Sequence, residues 1–196
     1  MSLHHHFEIA LPGWIDGFVG HWLNERESAL DSEEHRMQLA VALSAENVRR
    51  DTGGPFGAIV VQEETNRLIG VGVNLVTSLQ MSAAHAEIVA LTLAQRAVES
   101  WNLASAGKLQ LVSSCEPCAM CFGAVPWSGV TSMICAARKS DAELAGFDEG
   151  DKPENWTETL QQRGIEVRLD VLRDEAALVL SNYAEGDGAI YHPGTD

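Results

Sequence analysis

"SSCEPCAMC", residues Ser113–Cys121, carries three of the chain's four cysteines: Cys115, Cys118 and Cys121, each three residues from the next. Two thiolates and one imidazole leave a zinc ion an open position for a reacting water. Three thiolates and an imidazole close the shell and make the ion a structural pin. Pro117 separates the two cases. Proline suits the first turn of a helix, so a helix opening at Pro117–Cys118 puts Cys118 and Cys121 on one face, where its N-terminus favours thiolates. Cys115 is left upstream, at the end of "KLQLVSS", which reads as a strand. The fourth cysteine, Cys135 in "MICAA", reads as a small buried hydrophobe.

Outward from this stretch, strands and helices alternate. "PFGAIVVQ" and "LIGVGVNLV", separated by "EETNR", are rich in Val and Ile and predict a hairpin of buried strands. Before them, Asp31 or Ser32 followed by Glu33 and Glu34 starts a helix that runs to about Arg50 and stops at Gly53–Gly54. "AAHAEIVALTLAQRAV" predicts a helix with Ile88, Leu91 and Ala94 inward. "VTSMICAA" and "GIEVRLDVL" predict two more strands, "GFDEGDKPENW" a loop, and "DEAALVLSNYA" a closing helix. An initial hairpin followed by alternation predicts an α/β fold: a mixed sheet of roughly five strands with helices on both faces.

"HAE", His85–Glu87, supplies what the cysteines lack. His85 lies 33 residues before Cys118, with a helix and a strand between them. Together the two pieces match H-x-E…P-C-x-x-C, the pattern of zinc-dependent nucleobase deaminases. His85, Cys118 and Cys121 would hold one zinc per subunit. The zinc-bound water would be acidic enough to ionise near neutral pH. Glu87 would take up that proton and pass protons to the ring nitrogen and then to the departing ammonia. A Cys₃His module closed by Cys115 is the non-enzymatic alternative, in which Glu87 would have no task.

On these residues the chain resembles the cytidine-deaminase-like zinc enzymes, and within them the guanine deaminase branch. The resemblance runs from about Glu34 to Tyr191 through "GGPFGAIVV", "GVN", "AAHAEI", "SSCEPCAMCFGAVPWSGV" and "AGFDEG". It implies a three-layer α/β/α sandwich, a homodimer, and deamination of guanine; the longer arm is a departure that could shift the preferred ring towards an amino-triazine such as ammeline. The runner-up is a deaminase of tRNA adenosine or of cytosine. It further implies that Asn74 and the backbone of Ala86 meet the base, that Phe56 and Trp127 pack against its ring, and that Glu149 recognises its edge. A C-terminal tyrosine also contributes in relatives: Tyr191, or in its place Tyr183. The loop and tail can be exchanged between subunits there. Glu149 stands where related patterns carry Asp, and Pro126 is expected to kink the helix beside Trp127.

Residues 31–196 are expected to form the deaminase domain. Residues 1–30 form an arm, in which Trp14, Phe18 and Trp22 recur every four residues as a helical stripe to be docked on the core or on a second subunit. His4, His5 and His6 read as an expression-tag remnant. Acids outnumber bases 28 to 13, a formal charge of −15. That disfavours a nucleic-acid partner, whose affinity comes from Lys and Arg at phosphates, and favours a small neutral nucleobase. No apolar run approaches the ~18 residues that span a membrane, and no signal peptide is evident. Cysteines in this pattern suit a reducing cytoplasm.

Overall fold

The apolar runs on either side of the cysteine stretch become the middle of one sheet. The computed structural model describes residues 7–26, 29–186 and 188–191; His4, His5 and His6 lie outside the described residues. The strands are β1 (Gly57–Gln62), β2 (Arg67–Val73), β3 (Leu109–Cys115), β4 (Ser132–Ala137) and β5 (Glu166–Arg168), in the order β2-β1-β3-β4-β5. β1 is antiparallel to both β2 and β3, whereas β3–β4 and β4–β5 are parallel. The sheet is therefore mixed, as the alternation predicted. β5 is shorter than "GIEVRLDVL" suggested: only three residues pair. Asp170 and Leu172 then take positive φ and turn the chain into the last helix.

The helices are α1 (Ile15–Glu25), α2 (Glu33–Arg49), α3 (Val76–Leu79), α4 (Ala86–Ala97), α5 (Ala119–Ser128), α6 (Lys139–Leu144), α7 (Trp156–Gln161) and α8 (Arg173–Glu185). Ser32 caps α2 by accepting the His35 N–H at 3.1 Å. Side chains alternate across the pleat. Ile59, Val61, Val112 and Ile134 join Met37, Leu43, Ala176 and Leu180 of α2 and α8 on one face. Val60, Leu111, Met133 and Cys135 join Ala90, Ala94, Val125 and Leu160 of α4, α5 and α7 on the other. Two apolar layers, one on each side of the sheet, make the three-layer α/β/α architecture.

The inner face of α4 differs from the expected one. Ile88 is only half-buried; Ala86, Glu87, Val89, Ala90, Leu91 and Ala94 are buried. Leu91 and Ala94 face inward as expected, but the place given to Ile88 is taken by Glu87, a carboxylate that apolar spacing does not mark. β2 also approaches α4 closely: a Cβ on Gly72 would stand 2.1 Å from the Ala86 carbonyl oxygen. That contact sets the head of α4, where His85 and Glu87 stand. α1 lies against the core of its own chain. Ile15 is buried there, and the Trp14 Nε1–H donates to Thr52 Oγ1 at 3.1 Å.

Candidate active site

Two helix heads meet at the carboxyl end of β3. His85 is the N-cap of α4 and Cys118 the N-cap of α5, each still extended before its helix begins. Cys121 lies in the first turn of α5. One ligand atom from each of His85, Cys118 and Cys121 lies within 4.8 Å of the others, and Cys118 Sγ is 3.5 Å from His85 Nδ1. Hydrogen bonding from Cys121, opposed by burial and helped by His85, lowers the Cys118 thiol to about 4, which favours its thiolate form. Two sulfurs and an imidazole on one spot are zinc chemistry.

Cys115 does not join them. It ends β3, and its sulfur faces the Arg138 carbonyl oxygen at 3.8 Å. Burial pushes its thiol well above the usual range. Among the described residues the metal-holding group is His85, Cys118 and Cys121 alone, which leaves the open coordination position that a closed Cys₃His shell would lack.

The cavity over this cluster is lined by Phe56, Asn74, His85, Glu87, Cys118, Phe147, Glu149 and Tyr191, with Glu116 and Asp148 beside them. Glu87 is 6% exposed. Burial, reinforced by the Cys118 charge, pushes its carboxyl up to about 7. Asn74 is pinned on every side. Its backbone N–H donates to Phe56 O at 3.0 Å, its carbonyl oxygen accepts from Asn47 Nδ2 at 2.9 Å, and its Oδ1 accepts the Val76 N–H at 3.3 Å. Its Nδ2–H donates to the Tyr191 hydroxyl at 2.9 Å.

Glu149 is also 6% exposed, and its Oε2 has no hydrogen-bond partner among the described residues. Burial pushes this carboxyl up to about 8, with the Cys118 and Glu87 charges adding and Lys152 opposing. Its backbone oxygen accepts the Ala119 N–H at 2.9 Å, which ties the loop between α6 and α7 to the head of α5.

Of the two candidate tyrosines, Tyr191 lines the cavity, edge-on to His85 with centroids 6.2 Å apart. Tyr183 stands behind it. It stacks on Phe147 at 5.9 Å and donates its hydroxyl to Ala189 O. Glu149 and Tyr191 line the same cavity. Ala86 is fully buried at the head of α4 but does not line the cavity.

Trp127 is not brought to the site. It is 82% exposed. Cys121, Val125 and Ser128 form the buried face of α5, and at 100° per residue position 127 points to the opposite side. Pro126 sits inside the last turn of the helix without ending it. The ring wall expected from Trp127 is supplied by Phe147, T-shaped against Phe56 at 4.9 Å. Phe147 lies in "AGFDEG", two residues before Glu149. Glu116, just before the metal ligands, is buried and ion-paired with Arg138 and Lys152.

A mixed sheet whose two helix heads join a His/Cys/Cys cluster to a buried glutamate defines a zinc-binding deaminase domain. The family model described as "Cytidine and deoxycytidylate deaminase zinc-binding region" matches residues 30–137, and the chain belongs to that family. The guanine deaminase of Bacillus subtilis is 37% identical over 118 residues, 60% of this chain and 72% of that protein. The solved guanine deaminase of Nitrosomonas europaea superposes with a TM-score of 0.84 at 41% identity, over 95% of this chain and 100% of that one. A tRNA-specific adenosine deaminase of Buchnera aphidicola is 32% identical over 129 residues, 66% of this chain and 79% of that protein.

Proposed function

We propose that this chain hydrolyses guanine to xanthine and ammonia. The observation that carries the reading is the unpartnered, buried Oε2 of Glu149 in the cavity that holds Glu87 and the metal ligands. A buried polar atom without a partner calls for one from the ligand. In guanine the amino-bearing carbon lies between an N–H and an unprotonated ring nitrogen. The N–H can donate to Glu149, and the bare nitrogen can take a proton from Glu87. Adenine and cytosine have no N–H beside that carbon. Ammeline repeats guanine's pattern, which makes it the second expected substrate.

His85, Cys118 and Cys121 would hold zinc, which when bound lowers the pKa of its water towards ~7. Glu87 would pass one proton of the attacking water to the bare ring nitrogen and that water's second proton to the leaving ammonia. Asn74 orients the base, with Tyr191 holding the Asn74 amide, and Phe56 and Phe147 flank the ring. Deamination of adenosine in tRNA, the activity named for several relatives, has less support, because a chain of net charge −15 is poorly matched to a polyanion.

We further infer a cytoplasmic homodimer, the state the resemblance implies. Exposed Met120 and Trp127 on the uncharged α5 give subunits an apolar surface to cover. Among the described residues no helix is long and apolar enough to cross a membrane. The test is ammonia release by the zinc-loaded protein from guanine, ammeline, adenine, cytosine and their nucleosides. Guanine and ammeline should lead, and a preference for adenine, cytosine or a nucleoside would overturn the reading.

A further inference from the structure

Lys152 has a side chain only 2% exposed. Its Nζ donates to the Pro117 carbonyl oxygen at 2.8 Å and to Glu116 Oε2 at 3.1 Å, and lies 4.4 Å from the Trp156 ring centroid. An ammonium is taken out of water only where charge and hydrogen bonds compensate it. The compensation here is concentrated on one short turn, Glu116–Pro117, immediately before the metal ligand Cys118. That turn is itself braced. Glu116 Oε1 accepts from Arg138 Nη1 at 3.1 Å, and Arg138 grips Asp170 through Nε and Nη2 at 2.7 and 2.5 Å.

The other end of Lys152 leads to Glu149. The Lys152 backbone N–H donates to Gly150 O at 2.9 Å, closing a tight turn in which Gly150 has φ +66°. Glu149 in turn gives its carbonyl oxygen to the Ala119 N–H at 2.9 Å. The loop is therefore tied to the head of α5 twice, just before Cys118 by the Lys152 ammonium and just after it by the Glu149 backbone. Two ties that bracket a metal ligand fix both the distance and the tilt of the side chain between them. A single tie would leave the loop free to pivot.

We propose that Lys152 is a positioning and specificity-determining residue: by clasping the Glu116–Pro117 turn it sets the Glu149 carboxyl relative to Cys118, and so decides which base edge the cavity accepts. The inference rests on the reading of Glu149 as the group that meets the base. Its consequence is that Lys152 acts through Glu149 and has little effect of its own on the chemical step.

A double-mutant cycle tests this, using the zinc-loaded parent, Lys152→Met, Glu149→Gln and the double variant. The cycle is run on whichever base the parent turns over best. Lys152→Met should raise KM about tenfold with kcat within about threefold of the parent, and zinc content should be unchanged. In the Glu149→Gln background the same change should alter kcat/KM by less than about twofold, because the group it positions is already gone. Lys152→Arg keeps the charge but displaces the donor. It should raise KM less than Lys152→Met does, and it carries the test if the methionine variant does not fold. An unchanged KM in both lysine variants, loss of zinc, or effects that multiply in the double variant would overturn the proposal. A parent inactive on guanine but active on another base overturns the substrate reading alone.

Discussion

The side-chain amide of Asn74, just past β2, donates to the hydroxyl of Tyr191, 117 residues further along the chain, at 2.9 Å. The Asn74 Oδ1 is already committed to the Val76 N–H, so the orientation of the amide is set from both ends. Tyr191→Phe removes one neutral hydrogen bond, about 0.5–1.5 kcal/mol, and should lower kcat/KM by about two- to tenfold. Asn74→Ala removes the oriented amide itself and should cost about 100-fold or more. Steady-state kinetics on guanine separate the two. Equal losses would mean that the phenol meets the base directly.

Glu87 is buried at the head of α4 beside the metal ligands, where it hydrogen-bonds Cys121 and faces His85. Glu87→Gln keeps its shape and hydrogen-bonding atoms but removes the proton carrier. Positioned acid–base groups contribute about 10²–10⁴-fold, so kcat should fall by about 10³ while bound zinc, counted by metal analysis, stays at one per chain. Appreciable turnover in this variant would remove Glu87 from the proton path.

Cys115 and Cys118 are three residues apart and have opposite tasks. Cys115→Ala loses a sulfur that meets only the Arg138 carbonyl oxygen at 3.8 Å. It should keep zinc and most of the turnover, at a stability cost of about 1 kcal/mol for a small buried group. Cys118→Ala removes a ligand and should lose zinc. Metal analysis and urea midpoints read both outcomes, and zinc loss from Cys115→Ala would restore the closed-shell module.

The ligand set was legible because its members carry fixed local spacing: a proline that starts a helix, two cysteines one turn apart, and a histidine heading the preceding helix. β1, β3 and β4 were legible because strands covered on both faces read as unbroken Val/Ile/Leu runs. The face of α4 was legible only in part, because Glu87, a carboxylate, is buried near its start where apolar spacing puts Ile88. Trp127 was misplaced because membership of a motif says nothing about which side of the helix a residue takes. Glu116 and Lys152 form a buried pair 36 residues apart. No periodicity marks such a pair, since the fold alone brings its two halves together.

Glu46 gives a sign to the acid limb of stability. Hydrogen bonds from Arg49, opposed by burial and reinforced by Arg50, lower its carboxyl from 4.5 to about 2; the contacts are 2.6 Å. A depressed carboxylate stabilises the fold above its unfolded pKa and loses that contribution as pH falls through the folded one. The parent should therefore be more stable than Glu46→Gln at pH 7, with the gap closing between about pH 4.5 and pH 2. Paired urea titrations across that range check it. Because the arginines are largely exposed, the gap should be small, within the ~0–1 kcal/mol of surface pairs. A gap that grew on acidification would contradict the assignment.

Gly72 and Gly123 predict opposite outcomes for the same substitution. A Cβ on Gly72 would stand 2.1 Å from Ala86 O and 2.5 Å from Ala90 N. Both are backbone atoms, so no rotamer relieves the overlap, and either β2 or α4 must shift. Overpacking of this kind costs about 1–3 kcal/mol. Because the displaced helix carries His85 and Glu87 at its head, activity should fall further than stability alone explains, as a misplacement of about 1 Å in a reacting group can cost ~10²-fold. On the outer face of α5, a Cβ at Gly123 meets nothing within 4 Å. There alanine gains helix propensity, up to about 1 kcal/mol, and adds a methyl group to the Met120 and Trp127 surface that a second subunit would cover. Urea midpoints should thus fall for Gly72→Ala and rise for Gly123→Ala, with kcat lost only in the first. A Gly72→Ala protein of parental stability and activity would show that α4 is not held at the distance on which the site's geometry depends.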